Sequence, residues 1–170
     1  MYNQYNQNYD LRNTHDQYSP NHSSNNTYVP YNEYRVDRTI KLQNKGNNPQ
    51  YRDQYLDINP NTGAATLFHS PTASGTNWRL TELDQGYVHL QNLGISSFKN
   101  WFLGRNPNSG TVMVLNCISP ATTWLLENAG NGEVRLRNLS NGQYLDFDPN
   151  TGDATLFHSP TASGTKWLMT

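Results

Sequence analysis

Two histidine–serine pairs and one acidic loop are the residue groups of this sequence that could take part in catalysis or bind a metal. His69-Ser70 and His158-Ser159 each combine a general base with a hydroxyl nucleophile, the pairing used in acyl transfer. Both pairs lie in stretches with the period of a β-strand, where consecutive side chains point to opposite faces. The two side chains of each pair therefore point apart, and we expect no nucleophilic catalysis from them.

The acidic loop 146–152 spaces oxygen ligands like the start of a calcium-binding loop. Its glycine, Gly152, comes one place late for that motif, and the twelfth position is Phe157 instead of glutamate. We find neither a cysteine–histidine cluster with zinc spacing nor a glycine-rich phosphate loop after a strand. We therefore predict no catalytic residues, no metal site and no cofactor. The single cysteine, Cys117, is predicted to be a small buried hydrophobe.

The composition excludes several classes of protein. The 170 residues are 34% hydrophobic, and 12 Lys+Arg stand against 13 Asp+Glu, so the chain lacks the basic footprint of a nucleic-acid binder. No stretch approaches the roughly 18 consecutive apolar residues of a membrane-spanning helix, so we expect no membrane insertion. The N-terminus lacks the pattern of a signal peptide. We expect cytoplasmic synthesis, with storage in inclusions or release without a signal peptide as further possibilities.

The apolar residues are concentrated after residue 35. Residues 1–34 contain eight Asn, three Gln and seven of the eleven Tyr, but almost no aliphatic side chains. Such a segment buries too little apolar area to offset the entropy of ordering, which favours a disordered leader. The alternative is an arm that mediates assembly, since interleaved Tyr, Asn and Gln can self-associate through β pairing and make a homo-oligomer. We predict an arm over residues 1–35 and a folded domain over 36–170.

The folded domain is an internal repeat. The stretch from Tyr55 to Trp78 differs from the stretch between Tyr144 and Trp167 at only four of 24 positions. A weaker third copy lies between them, beginning at Phe102. The period of about 46 residues defines repeat 1 (about 36–84), repeat 2 (about 85–130) and repeat 3 (about 131–170).

Within each repeat, apolar and polar residues alternate as in half-buried β-strands. Four strands are predicted in repeat 1, over 39–44, 54–58, 65–69 and 76–80. A proline- and glycine-containing turn at Asn59 has counterparts at Asn106 in repeat 2 and at Asp148 in repeat 3. Three repeats of four strands, whose apolar positions form threefold sets, predict an all-β β-trefoil. A four-bladed β-propeller of four-stranded units is the competing architecture, but three units are too few to close one. The threefold sets are Ile40, Val88 and Val134; Leu42, Leu90 and Leu136; Leu56, Leu103 and Leu145; Leu67, Val114 and Leu156; and Trp78, Trp124 and Trp167.

Among trefoils, the sequence resembles the ricin B-chain-like lectins, whose repeats carry a Leu-Asp pair on the second strand and end in Gln-x-Trp. Leu56-Asp57 and Leu145-Asp146 match the first motif, and Thr replaces the Gln before Trp78, Trp124 and Trp167. In that family the Asp accepts hydrogen bonds from sugar hydroxyls, an aromatic ring stacks under the sugar, and polar groups near the fourth strand complete the pocket. Carried over by position, the resemblance implies two sets of carbohydrate-binding residues: Asp57, Phe68, His69 and Asn77, and Asp146, Phe157, His158 and Lys166.

Repeat 2 has Gly104 at the Asp position, Leu115 at the Phe position and Asn116 at the His position, so we predict that it binds no sugar. Structural roles remain open for the other two repeats: each Asp as a turn acceptor, each Phe as a core residue, and each His as an exposed strand residue. The identity of the loop 70–76 with 159–165 reflects either function or recent duplication, because nothing in core packing is expected to require it.

The resemblance implies a non-catalytic, lectin-like module that binds glycans or glycoproteins. One alternative is a protein-binding trefoil, of protease-inhibitor or cytoskeletal type, which would project one distinctive loop; residues 45–53 are the only unique insertion predicted. Another alternative is a structural, self-assembling inclusion protein. Asn/Tyr-rich leaders and lectin-like trefoils are both similar to parts of bacterial insecticidal crystal proteins, which implies a toxin-associated or targeting component.

Overall fold

The computed structural model describes residues 37–170, so the predicted arm over residues 1–35 lies outside the described residues. The described chain is all-β, with short 3-10 turns between strands and no helix long and apolar enough to cross a membrane. The strands are β1 (Asp37–Ile40), β2 (Leu42–Asn44), β3 (Tyr55–Ile58), β4 (Ala65–Phe68), β5 (Trp78–Glu82), β6 (Tyr87–Asn92), β7 (Phe102–Arg105), β8 (Val112–Leu115), β9 (Trp124–Gly130), β10 (Glu133–Asn138), β11 (Tyr144–Phe147), β12 (Ala154–Phe157) and β13 (Trp167–Met169).

The first and last strand of each repeat form a barrel. Hydrogen-bonded neighbours follow the order β1-β5-β6-β9-β10-β13-β2, and β2 follows β1 in the chain after Lys41. The predicted strand 39–44 is therefore divided at Lys41, whose N–H donates to Thr170 O at 2.8 Å. Thr170 N–H donates back to Lys41 O at 3.1 Å, so the backbone pairing continues past the division and closes the barrel.

The middle strands of each repeat form three antiparallel hairpins, β3–β4, β7–β8 and β11–β12. Their turns use the predicted chemistry: Asn59 Oδ1 accepts the N–H of Asn61 at 2.9 Å, and Gly63 takes a φ of +73°. The hairpins contact one another across the pseudo-threefold axis, where Val114 N–H donates to Gly63 O at 2.9 Å. A barrel of three strand pairs, with three hairpins at one end, is the β-trefoil that the sequence predicts.

The threefold apolar sets form the core. All three predicted tryptophans are fully buried, and each indole Nε1–H donates to the carbonyl of the leucine on the hairpin strand of its own repeat. These bonds are Trp78 to Leu56 at 3.1 Å, Trp124 to Leu103 at 2.9 Å and Trp167 to Leu145 at 3.2 Å. Val134 and Leu156 are only half-buried, whereas the other predicted core residues are buried. The core residues of repeat 3 are thus more exposed to solvent than those of repeats 1 and 2.

Two predictions from the sequence, one about the loop 45–53 and one about Cys117, are wrong. The loop 45–53 brings Tyr51 onto Phe147, with ring centroids 5.3 Å apart, and the loop 93–100 brings Phe98 against the turn of the repeat 1 hairpin. Because two repeats carry such a loop, the prediction that 45–53 is a unique insertion is wrong. Cys117 is exposed, so the prediction that it is buried is also wrong. It lies in the turn after β8, outside the core layers.

Candidate functional site

The predicted aspartates and phenylalanines share one face of their hairpins. In repeat 3, Asp146 of β11 stands opposite Thr155 of β12, and Tyr144 stands opposite Phe157. Because side chains alternate along a strand, these four side chains lie on the same face. Repeat 1 has the same register, with Asp57 opposite Thr66 and Tyr55 opposite Phe68. Each hairpin therefore places a carboxylate diagonally across from an aromatic ring.

Each carboxylate is held by the backbone of the following residue. Oδ1 of Asp57 accepts the Ile58 N–H at 2.7 Å, and Oδ1 of Asp146 accepts the Phe147 N–H at 2.7 Å. Both residues are buried, with 8% and 7% of their surface exposed. Among residues 37–170, Oδ2 of either aspartate has no hydrogen-bond partner, and neither Oδ2 is sealed from solvent. Each aspartate therefore does act as a local backbone acceptor, but only through Oδ1, and its Oδ2 can accept a further hydrogen bond.

Burial changes the proton affinity of these groups. Desolvation raises the pKa of Asp57 and of Asp146 above the ordinary aspartate value, and the backbone hydrogen bond to each carboxylate opposes that rise. A carboxylate in such a partly dry setting forms stronger hydrogen bonds than one in water. The two aspartates thus have the same chemical character.

Loops 70–76 and 159–165 cover the aspartates, and their identity has a structural cause. A Cβ atom on Gly75 would overlap Asp57 Oδ1, and one on Gly164 would overlap Asp146 Oδ1. The loop residue beside each carboxylate must therefore be glycine. The expectation that nothing in the packing requires these loops to match is wrong for this position.

Two further contacts hold each loop in place. Thr165, at the position of the family's Gln, places Oγ1 2.9 Å from the carbonyl oxygens of both Pro160 and Ala162, which share its single O–H donor. The fully buried Asn44 donates through Nδ2 to Gly164 O at 3.0 Å. Sequence reasoning missed this asparagine, although the end of the first strand carries Asn in every repeat. The equivalent bonds are Asn92 to Gly75 O at 3.0 Å and Asn138 to Ala121 O at 2.9 Å.

A cleft of about 400 Å³ opens on this face of repeat 3. Asp146 and Phe157 both line it, together with Thr155 and the loop residues Ala162 and Ser163. Phe157 is 49% exposed and Phe68 is 39% exposed, so neither is the core residue that one alternative expected. The cleft thus combines a carboxylate, a hydroxyl and an exposed ring, which is the set of groups that can hold a polar ring-shaped ligand.

Repeat 2 has no room for the same arrangement. A Cβ atom on Gly104 would stand 2.7 Å from Thr122 Cγ2 and 2.8 Å from Ala121 O. Ala121 occupies the position of Gly75 and Gly164. Repeats 1 and 3 therefore pair Asp on the hairpin with Gly on the loop, whereas repeat 2 pairs Gly on the hairpin with Ala on the loop.

The remaining predicted residues are placed differently. His69 packs on Phe68, with ring centroids 4.4 Å apart, while His158 Nε2 lies 2.9 Å from Gln143 Nε2. Asn77 accepts the Leu93 N–H through its backbone carbonyl at 3.0 Å. Lys166 Nζ lies 3.6 Å from Glu133 Oε2, on a separate cleft. The structure therefore brings Asp146 and Phe157 into one cleft, and His158 and Lys166 lie outside it.

The two serines beside the histidines make contacts of their own. Ser70 Oγ hydrogen-bonds Thr72 Oγ1 at 2.9 Å, and Ser159 Oγ hydrogen-bonds Thr161 Oγ1 at 2.8 Å. These bonds shape the turns that begin the covering loops. Over the described range, three or more metal-ligating His, Cys, Asp or Glu side chains do not gather at any point.

Comparison with solved structures shows the same fold at low sequence identity. A designed threefold-symmetric protein, ThreeFoil, matches with a TM-score of 0.63 and 17% identity, over 77% of this chain and 96% of that one. SeviL, solved bound to the asialo-GM1 saccharide, matches with a TM-score of 0.61 and 23% identity, over 79% of this chain and 98% of that one. A mosquitocidal holotoxin matches with a TM-score of 0.65 and 17% identity, over 78% of this chain but 17% of the toxin. No protein-family model and no curated protein matches the chain.

Proposed function

We propose that this protein is a non-catalytic, carbohydrate-binding β-trefoil, with one sugar site in repeat 1 and one in repeat 3. The observation that carries the proposal is the duplicated pairing of a half-satisfied carboxylate with an exposed ring on one hairpin face. SeviL, which shares the fold, is described in complex with a saccharide, and this supports the same class of ligand here.

The chemistry suits a sugar ring. Oδ2 of Asp146 can accept hydrogen bonds from a sugar hydroxyl, because Oδ1 is already held by the Phe147 N–H. The carboxylate is thus oriented before the ligand arrives, which lowers the entropic cost of binding. The exposed Phe157 ring offers an apolar surface to the C–H face of the sugar.

Two sites on one rigid domain can act together. A single shallow site with one carboxylate and one ring binds weakly, and a second site on the same body raises avidity on a surface that displays many glycans. The likeness to part of a mosquitocidal holotoxin supports a targeting role, in which the domain attaches a larger assembly to such a surface.

The test is a glycan array with the full chain and the Asp57→Asn/Asp146→Asn variant, which keeps the size of both side chains. The Asp37→Asn/Asp84→Asn variant is the matched control, because both of its aspartates are exposed and lie outside the hairpins. We expect binding by the wild type and the control, and loss of binding in Asp57→Asn/Asp146→Asn with unchanged circular dichroism. A wild type that binds no glycan overturns the proposal.

A further inference from the structure

A second cleft adjoins the cleft of Asp146 and Phe157. It has a volume of about 290 Å³ and is lined by Asn47, Arg135, Thr161, Ala162, Ser163 and Lys166. Ala162 and Ser163 line both clefts, so the two lie on either side of one loop. A ligand that binds at the first cleft therefore has the second within reach of a substituent.

The cations of this region differ in how they are neutralised. Arg137 Nε lies 3.2 Å from Glu127 Oε1, and Lys166 Nζ lies 3.6 Å from Glu133 Oε2. Arg135 has no ion pair or hydrogen bond from its guanidinium within residues 37–170, and its Nε is buried. It also adjoins Lys166, since Val134 and Trp167 are register partners on neighbouring strands.

A buried N–H of a charged group without a partner is costly, because it has lost its hydration and gained no hydrogen bond. An anion that binds the terminal nitrogens of Arg135 offsets this cost by neutralising the charge, and the planar guanidinium suits carboxylate and sulfate. The hydroxyls of Thr161 and Ser163 and the amide of Asn47 line the same cleft and can supply neutral hydrogen bonds.

We propose that repeat 3 binds an acidic glycan, with its sugar ring at Phe157 and Asp146 and its carboxylate or sulfate group at Arg135 and Lys166. This inference rests on the proposed function and specifies the ligand class of one of its two sites. The shared loop separates the anionic group from the Asp146 carboxylate, so the two negative charges do not meet directly.

The other repeats lack this pair of cations. Repeat 1 has Lys41 and Asn77 at the positions of Arg135 and Lys166, and repeat 2 has His89 and Thr123, whose side chains lie 3.1 Å apart. The two proposed sugar sites therefore differ in charge, although their hairpins are nearly identical in sequence. Repeat 1 would take neutral sugars, and repeat 3 acidic ones.

The test is an array that presents neutral glycans together with their sialylated and sulfated forms. For at least one such pair we expect the wild type to bind the acidic form about tenfold more tightly, the scale of one charge-assisted hydrogen bond. Arg135→Gln should remove this preference, and Arg135→Lys, which retains the charge, should keep part of it. Lys41→Gln is the matched control at the equivalent position of repeat 1 and should leave the preference intact.

The outcomes separate the two proposals. A preference confined to the sialylated forms assigns a carboxylate to the second cleft, and one confined to the sulfated forms assigns a sulfate. Equal binding of neutral and acidic forms, with binding still lost in Asp57→Asn/Asp146→Asn, overturns this inference and leaves the proposed function standing. If the thermal unfolding midpoint of Arg135→Gln lies below that of Lys41→Gln, the Arg135→Lys variant decides: a partly retained preference supports the inference, and a complete loss overturns it. An Arg135→Gln protein that is stable and retains the preference also overturns the inference.

Discussion

Gly164 lies so close to Asp146 that a Cβ atom on the glycine would overlap Oδ1 of the carboxylate. Gly164→Ala should therefore displace the Asp146 side chain and destabilise the fold by about 1–3 kcal/mol, the usual cost of overpacking a filled site. Glycan binding by repeat 3 should fall with it. Urea unfolding and binding to the array measure the two effects.

A second substitution should restore part of the stability but not binding. Repeat 2 already combines Gly104 on the hairpin with Ala121 on the loop. The Asp146→Gly/Gly164→Ala variant copies that combination and removes the overlap with the carboxylate, but the new Cβ still meets the Phe147 ring, so we expect it to recover part of the stability lost in Gly164→Ala without restoring glycan binding by repeat 3. If the double variant is less stable than Gly164→Ala, the steric explanation is wrong.

The buried asparagines allow stability and binding to be separated. Asn44→Ala, Asn92→Ala and Asn138→Ala each leave a loop carbonyl without its donor and should each cost about 1–3 kcal/mol. Asn44→Ala should weaken binding by repeat 3, because Asn44 holds the loop over Asp146. Asn92→Ala should weaken binding by repeat 1, because Asn92 holds the loop over Asp57. Asn138→Ala acts on repeat 2, in which we propose no sugar site, and should leave glycan binding unchanged. A loss of binding in Asn138→Ala equal to the other two would show that these effects are global.

The exposed ring should matter for binding and not for stability. Phe157→Ala should leave the free energy of unfolding within about 0.5 kcal/mol of wild type, because the side chain is half exposed. Binding by repeat 3 should weaken by about tenfold, as expected for a central aromatic contact. Leu139→Ala, which removes a similarly exposed side chain outside the cleft, serves as the control and should change neither quantity.

The raised pKa of Asp57 and Asp146 predicts a pH dependence of stability. Because desolvation raises each pKa in the native state, the native protein holds these protons at a higher pH than the unfolded chain. The free energy of unfolding should therefore rise as pH falls from 7 through the raised pKa values, and this gain should end near the ordinary aspartate range, about pH 4. Asp57→Asn/Asp146→Asn lacks both groups, so the difference between its urea midpoint and that of wild type should change across this window. A constant difference would contradict the prediction.

Glycan binding should respond to pH in the opposite direction. A protonated carboxyl group is a weaker acceptor for a sugar hydroxyl, so binding should decline as pH falls through the same raised pKa values. The decline should begin above the pH at which an exposed aspartate protonates.

The repeat pattern was sufficient to predict the fold, because each apolar position recurs three times and only burial explains that recurrence. The buried tryptophans and their leucine partners lie where the pattern placed them. The repeat pattern did not predict how the strands at the two ends of the domain pair. The division of the first strand at Lys41 and the pairing of β13 with β2 depend on which edges meet when the barrel closes, and no local pattern contains that information.

The candidate site was likewise predicted only in part. The resemblance to the lectins indicated each pair of Asp and Phe, and the hairpin register places both side chains of a pair on one face, so that Asp146 and Phe157 line one cleft. The three-dimensional structure was needed to show that His158 and Lys166 lie outside that cleft. It was also needed to show that Arg135, Lys166 and Asn47 line a second cleft. These three residues come from the first strand of repeat 3, the approach to the last strand, and a loop of repeat 1. Segments so distant in sequence meet only when the closed barrel brings the first repeat beside the third.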